Sequence, residues 1–248
     1  MAITAVLPYL IYSIPDGEFR WAGFSLLCAI VAAVSFWYLG FAPSIVADSL
    51  FLILLAAIVL SRSLNYVYTT SAVKDLSILG HLMLIRTAAL AVLAVRGADR
   101  PVFGFIPTQK EWIIGIRYFF YFLPIGFPLA IWLGAAHLMF SGVLLWKALA
   151  YFFGALWVIA LSEEFFFRGL LQHWLEQWTA RPWVSLIAAS ILYGLSHLWF
   201  RAFPNWRMAA VSSFLGCFCG LAFRKAGSIR AGMVTHALVV ALWRTLFV

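Results

Sequence analysis

Charged residues are scarce in this sequence, and their scarcity excludes an ordinary soluble domain. Only 10% of the 248 residues are Asp, Glu, Lys or Arg, whereas about 25% is typical of globular proteins. Hydrophobic residues make up 65% of the chain, including 23 Phe and 12 Trp. Because a run of about 20 apolar residues is long enough to cross a bilayer, this composition predicts an integral membrane protein.

Cysteine and polar linker sequence are also in short supply. The three cysteines, Cys28, Cys217 and Cys219, fall within apolar runs, where we interpret them as small packing residues and not as a disulfide framework or a metal site. We find no internal repeat and no polar stretch rich in Pro, Gly or Ser that is long enough to be a linker. The sequence therefore predicts a single integral-membrane domain over residues 1–248.

The apolar stretches predict an all-α fold, a polytopic transmembrane helical bundle of about eight spans. Residues 2–12 are apolar but too short to span, and they lack the flanking features of a signal peptide. Most of the 17 Lys and Arg residues are scattered among the connections or lie near span ends, which favours lipid headgroups over nucleic acid as their partner and leaves the orientation open. The predicted spans lie near 22–42, 45–61, 76–95, 112–136, 146–173, 183–200, 208–224 and 228–247.

Among the acidic residues, we expect only Glu163 and Glu164 in the apolar interior, because Asp48 lies close to a span end and Glu111 in a connection. We interpret His81 and Arg86 of the third span as structural, since nothing near them completes a reactive set.

The largest group of ionisable side chains inside the predicted spans lies in the C-terminal part of the chain. The stretch "LSEEFFFRG" at 161–169 places Glu163, Glu164 and Arg168 in the fifth span, and His197 and His236 fall in the sixth and eighth spans. An ionisable group at mid-bilayer costs roughly 2.5–3.5 kcal/mol on insertion scales, so such groups persist where they are paired or used. A polar cluster on three helices favours function over a role in helix packing alone.

Helical spacing predicts different roles for the two glutamates. Glu164 and Arg168 are four residues apart, so they share one helix face with the carboxylate on the N-terminal side, the favourable order for an ion pair. Glu163 points about 100° away from Glu164. Glu163 is therefore the carboxylate that needs another partner, and a histidine from another helix, His197 or His236, would make it a suitable general base.

Three short motifs in the same region carry a family resemblance. "EEFFFR" matches the Glu-Glu-x-x-x-Arg signature of the CAAX protease and bacteriocin-processing family, glutamic-type intramembrane proteases that include the Ras-converting CAAX endopeptidases. "YGLSH" resembles the second motif of that family, with Tyr193 at the aromatic position and His197 as the histidine. "HALVV" resembles the third motif through His236. The resemblance covers about residues 146–248.

The resemblance implies endoproteolysis within the membrane by an activated water, with no cofactor. It implies that Glu163 and His197 hold and deprotonate the water, that His236 helps to stabilise the oxyanion, and that Glu164 and Arg168 orient the site. The implied substrate is a membrane-associated protein or peptide cut near its C-terminus, as in CAAX-type or sorting-signal processing. The cell membrane of a bacterium or archaeon is the expected location.

The third motif departs from the family pattern at Val240, where Asn or Asp is expected near the oxyanion. Valine cannot donate a hydrogen bond, and losing one oxyanion donor typically costs about 10²–10³ in rate. The chain has two asparagines, Asn65 and Asn205, both in connections. A replacement donor has to come from a backbone N–H or from a side chain such as Ser196, Ser212, Ser213 or Asn205.

Three other interpretations use the same residues. "GLSH" also resembles a rhomboid nucleophile motif, which would make Ser196 the nucleophile and His236 its base. Glu163, His197 and His236 could in principle hold one metal ion in an open three-ligand site. A non-catalytic membrane scaffold or immunity protein would keep the polar cluster for structure or partner binding. An aspartyl protease needs two aspartates in the membrane interior, whereas the predicted spans contain one, Asp48, close to a span end. No His-Glu-x-x-His zinc motif occurs.

Overall fold

The computed structural model describes residues 2–15, 17–69, 76–98, 102–138 and 145–247, and regular structure in these ranges is helical apart from one bridge between Leu138 and Phe247. The first helices are α1 (Ala2–Ser13), α2 (Trp21–Gly40), α3 (Ile45–Leu60), α4 (Ser63–Val67) and α5 (Ser77–Val95). They are followed by α6 (Gln109–Trp132), α7 (Trp146–Thr179), α8 (Pro182–Ser196), α9 (Trp206–Ala226) and α10 (Ile229–Leu246).

The structure confirms the all-α transmembrane fold, and the predicted number of about eight spans holds only approximately. Within the described ranges, five helices are long and apolar enough to cross a membrane, namely α2, α5, α6, α7 and α9. The other three predicted spans are also helical, but α3 has 16 residues and α8 has 15. The third, α10, carries Arg230, His236 and Arg244 among its 18 residues. Apolar runs therefore predicted the positions of the helices well. They predicted less well which helices are long and apolar enough to span a membrane.

The chain divides into two compact units, Met1–Arg100 and Pro101–Val248. In the first unit, α2 packs against α1, α3, α4 and α5. The most deeply buried side chains include Tyr9, Val34 and Phe51. A buried polar group joins these helices, because Arg96 binds both oxygens of Asp48 and the Tyr38 hydroxyl donates to the same carboxylate. The prediction of one domain over the whole chain stays a prediction.

The second unit is built around α9 and α10, which pack against each other and against α6, while α9 also packs against α8. Phe122, Phe127, Leu215, Val239 and Phe247 form its main apolar cluster. Polar residues define where the two central helices begin. Asn205 accepts from the Met208 N–H at the start of α9, and Ser228 accepts from the Arg230 N–H at the start of α10, as N-caps do.

Two acidic residues that the sequence pattern assigned to span ends or connections are buried. Asp48 lies in the first turn of α3 and is 1% exposed, and Glu111 lies in the first turn of α6 and is 4% exposed. Glu111 forms a capping box with Thr108 and an ion pair of 2.9 Å with Arg230 of α10. The expectation that only Glu163 and Glu164 occupy the interior was therefore wrong, since a carboxylate at a helix end can still be covered by neighbouring helices.

Helix α7 departs from regular α-helical geometry on both sides of the glutamates. Ala155–Ala160 and Phe165–Gln172 are π-helical, and the short α-helical segment Leu161–Glu164 lies between them. π-Helical turns are rare and occur frequently at functional sites. Glu163 lies midway along this 34-residue helix.

Candidate active site

The structure confirms the predicted pair between Glu164 and Arg168. A guanidinium nitrogen of Arg168 lies 3.2 Å from Glu164 Oε1, and the two side chains are 1% and 0% exposed. The other terminal nitrogen of Arg168 donates to the Gly216 carbonyl of α9 at 3.0 Å. Since a buried charge needs a partner and hydrogen bonds to persist, this pair fixes α7 against α9.

His236 extends the pair across to α10 and α8. Its Nδ1 lies 3.0 Å from Glu164 Oε1, and its Nε2 lies 3.2 Å from the Tyr193 hydroxyl. The same Nε2 lies 3.8 Å from Glu163 Oε2, which is longer than a direct hydrogen bond. Both ring nitrogens therefore face groups of the protein, and the predicted contact of His236 with an oxyanion stays a prediction.

Glu163 differs from Glu164 in facing open space. It lines a cavity of about 530 Å³ together with Tyr193, His197, His236 and Val240. Its side chain is 29% exposed, and its Oε2 atom has no hydrogen-bond partner within the described residues. The Oε2 atom itself is buried on the side of His236, so the exposed part of the Glu163 side chain is what lines the cavity. The cavity thus joins the residues that the sequence assigned to water activation.

His197 reaches the cavity from the end of a helix and not from its interior. The sequence placed it about 14 residues into a span, but α8 ends at Ser196, and His197 begins a 3-10 turn that ends at Trp199. Its Nδ1 lies 3.0 Å from the Tyr193 carbonyl oxygen. Such a contact fixes the ring and leaves Nε2 as the nitrogen on the far side.

The alternative nucleophile, Ser196, has other contacts. Its hydroxyl donates to the Tyr193 carbonyl oxygen at 2.7 Å, and its oxygen lies 3.3 Å from His197 Nδ1. It is exposed and belongs to the last turn of α8, while His236 is paired with Glu164 and Tyr193. These contacts give the serine mechanism no base for Ser196 among the described residues of α10.

One group of potential metal ligands occurs in the described ranges, and it differs from the group that the sequence suggested. Ligand atoms of Glu164, Cys219 and His236 lie within 4.8 Å of one another, and all three residues are buried. The Glu164 carboxylate already faces the Arg168 guanidinium and His236 Nδ1. A cation placed there would meet the fixed positive charge of Arg168, so these residues fit a hydrogen-bonded ion pair better than a metal ion.

Three contacts at the site were missed by sequence reasoning. The Tyr193 hydroxyl bonds to His236, the Gly216 carbonyl accepts from Arg168, and Gly232 lies against Glu164. A Cβ atom at position 232 would lie 2.5 Å from Glu164 Oε2, so α10 can approach the carboxylate only with glycine there. Tyr193 was visible in the second motif, but helical spacing along one chain does not predict a contact between helices.

The cavity also contains positive charge away from the carboxylates. Arg201, which follows the 3-10 turn, and Arg244, in the last turn of α10, both line it. Arg201 stacks against Phe200 at 5.4 Å and Arg244 lies over Tyr151 at 5.9 Å. Most other lining residues are apolar, among them Phe122, Met208 and Trp243, so the cavity suits an apolar chain that ends in an anionic group.

Comparison with known proteins identifies the same part of the chain. Residues 145–242 match the family model described as Type II CAAX prenyl endopeptidase Rce1-like. No curated protein and no solved structure matches the chain. The match confirms the resemblance noted in the three motifs, and it includes Glu163, His197, His236 and Val240.

Proposed function

We propose, from the premise that residues 145–242 form an Rce1-like domain, that this protein is a glutamic-type intramembrane endopeptidase of the CAAX class. The observation that carries the proposal is the position of Glu163, whose partly exposed side chain lines the cavity together with His197 and His236. A carboxylate with this access and these neighbours can serve as a general base toward water.

The proposed reaction begins with a water held by Glu163 and His197. Glu163 accepts a proton from the water while the water oxygen attacks the carbonyl carbon of the scissile peptide. This attack gives a tetrahedral intermediate with a negative oxygen. The C–N bond then breaks, and the proton passes from Glu163 to the leaving amine. Hydrogen-bond donors that already face the developing oxyanion supply the larger electrostatic contribution.

The remaining residues of the cluster position Glu163. The buried pair of Glu164 and Arg168 holds His236 through Nδ1, and the opposite nitrogen of His236 lies between Tyr193 and Glu163. Because fixed hydrogen bonds restrict both the tautomer and the orientation of a histidine, His236 maintains the direction of the Glu163 carboxylate.

The cavity supports a substrate cut near its carboxyl end. Its walls are mainly apolar, which suits a membrane-associated peptide, and Arg201 and Arg244 can bind a terminal carboxylate. The family description names prenyl substrates, and a prenyl chain would be soluble in the same lipid that surrounds the spans. We propose a membrane protein or peptide as substrate, with prenylation to be decided by experiment.

The proposal is tested with the full chain reconstituted in lipid vesicles. The substrates are quenched fluorescent peptides of one CAAX-type sequence, either farnesylated or not, and with either a free or an amidated C-terminus. We expect Glu163→Gln to lower the cleavage rate by about 10²–10⁴, the typical contribution of a general base, because glutamine keeps the shape of the side chain and cannot accept the proton. We expect amidation to weaken binding, because it removes the charge that Arg201 and Arg244 attract.

Two variants separate the competing mechanisms. Ser196→Ala should cleave as wild type does, whereas loss of cleavage in this variant together with full activity of Glu163→Gln would establish the serine mechanism. A comparison of protein termini in membranes of cells that express wild type or Glu163→Gln extends the test to natural substrates. If the protein termini are the same in both membranes and wild type cleaves neither peptide, the scaffold or immunity function is favoured.

A further inference from the structure

The proposed reaction needs a hydrogen-bond donor for the oxyanion, and the Val240 side chain cannot supply one. This residue lines the cavity four positions after His236, where the family pattern expects an amide or carboxyl side chain. His236 directs its nitrogens toward Glu164, Tyr193 and Glu163. A tetrahedral intermediate formed next to Glu163 would therefore need a hydrogen-bond donor from another part of the cavity wall.

Most of the polar side chains that could replace Val240 are engaged elsewhere. Ser196 donates to the Tyr193 carbonyl oxygen, and Ser213 donates to the Ala209 carbonyl oxygen at 2.9 Å. Asn205 caps α9 through the Met208 N–H and donates to the Phe200 carbonyl oxygen. These three residues are also absent from the described cavity wall.

Ser212 has the position and the free hydroxyl that the other three lack. It is 2% exposed and lines the same cavity as Glu163 and Val240. A buried helical serine commonly donates to the carbonyl oxygen four residues earlier, as Ser213 and Ser190 do in this protein. The Ser212 hydroxyl makes no such bond in the part of the chain that the structure describes, so its proton is available to a group in the cavity.

The surroundings of Ser212 connect it to the buried pair of Glu164 and Arg168. It lies one helical turn before Gly216 on α9, on the same face of that helix, and the Gly216 carbonyl accepts from Arg168 at 3.0 Å. Its neighbour Val211 belongs to the apolar cluster that also contains Val239 of α10. Ser212 thus lines the cavity from α9, while Glu163 lines it from α7.

We propose that Ser212 is a catalytic residue whose hydroxyl donates a hydrogen bond to the oxyanion and so replaces the amide or carboxyl side chain expected at Val240. The hydroxyl keeps its proton throughout, since the water proton goes to Glu163 and then to the leaving amine. This inference rests on the proposed peptidase function. It also accounts for an Rce1-like domain that has valine at the third motif.

The test measures kcat and KM for Ser212→Ala with the farnesylated and non-farnesylated CAAX-type peptides in vesicles. We expect kcat to fall by about 10², within the range for loss of one oxyanion donor, with little change in KM. Ser212→Thr keeps the hydroxyl and should retain most of the rate. Ser213→Ala is the matched control, because it removes a neighbouring hydroxyl that donates to the backbone, and it should be unchanged.

Val240→Asn provides the decisive second measurement. Introduced into Ser212→Ala, it should restore part of the lost rate, and the gain should exceed the gain from the same change in wild type, since the two side chains would serve one oxyanion. Thermal unfolding of each variant in detergent checks the fold. If Ser212→Ala does not accumulate, Ser212→Cys, which is similar in size and a weak donor, takes its place.

The outcomes distinguish this inference from the proposed function. Full kcat in Ser212→Ala, or equal loss in Ser212→Ala and Ser212→Thr, would overturn the role of Ser212. If the role of Ser212 is overturned but Glu163→Gln is inactive in the same assay, the proposed peptidase function still stands. If Glu163→Gln cleaves as wild type does, the proposed function itself fails.

Discussion

Asp48 with Arg96 in the first unit and Glu164 with Arg168 in the second are both pairs of a buried carboxylate and an arginine. They differ in the third residue that binds the carboxylate. In the first unit, Arg96 binds both oxygens of Asp48 at 2.8 and 2.6 Å, and the third partner is the Tyr38 hydroxyl at 2.8 Å. In the second unit, Glu164 pairs with Arg168 at 3.2 Å, and the third partner is His236.

The third partner determines what each pair can do. Tyr38 ends the first network inside the helix packing, so Asp48 and Arg96 hold helices together. His236 continues the second network to Tyr193 and toward Glu163, which faces the cavity. A buried ion pair alone is weak evidence for function or for stability, but a pair that fixes a histidine beside an open carboxylate can support chemistry.

The largest expected effect comes from removing the charge of one carboxylate in each pair, Asp48 or Glu164. Removing one partner of a buried ion pair typically costs about 3–5 kcal/mol, so Asp48→Asn and Glu164→Gln should both lower the temperature of thermal unfolding in detergent. Only Glu164→Gln should also abolish peptide cleavage, because it releases His236. Cleavage is measured below both unfolding transitions and divided by the amount of folded protein. Equal loss of specific activity in Asp48→Asn would contradict the distinction.

A smaller effect is expected where α10 approaches Glu164. Gly232→Ala would place a methyl group 2.5 Å from Glu164 Oε2, and overpacking of this kind costs about 1–3 kcal/mol. We expect a lower kcat, since the displaced carboxylate no longer orients His236. Gly154→Ala in α7 is the control, because a Cβ there has no atom within 4 Å. A normal kcat in Gly232→Ala would show that the site tolerates movement of Glu164.

The smallest expected effect compares the two tyrosines. Tyr38→Phe and Tyr193→Phe each remove one hydrogen bond, worth about 1 kcal/mol of net stability, so their unfolding temperatures should fall by similar small amounts. Tyr193→Phe should in addition lower kcat, because Tyr193 contacts the nitrogen of His236 that faces Glu163. Unchanged kcat in Tyr193→Phe would contradict a role of this tyrosine in the proposed reaction.

Much of the fold could be predicted because it depends on local composition. Apolar runs placed a helix at each predicted span, and the four-residue spacing of Glu164 and Arg168 predicted their pair correctly. The prediction was weaker at helix ends. His197 lies in a 3-10 turn and not inside a span, and Glu111 is buried through its contacts with Thr108 and Arg230. Such outcomes depend on which helices pack around a terminus.

By itself the sequence determined a helical membrane protein, the pairing of Glu164 with Arg168 and the motifs within the stretch that matches the Rce1-like family model. Hydropathy and helical spacing are properties of the chain alone. Tertiary structure decided that His236 binds Glu164 and lies 3.8 Å from Glu163. It also brought Ser212 and Val240 to one cavity. These contacts join residues that are 28 to 73 positions apart, and only the packing of α7, α9 and α10 fixes their distances.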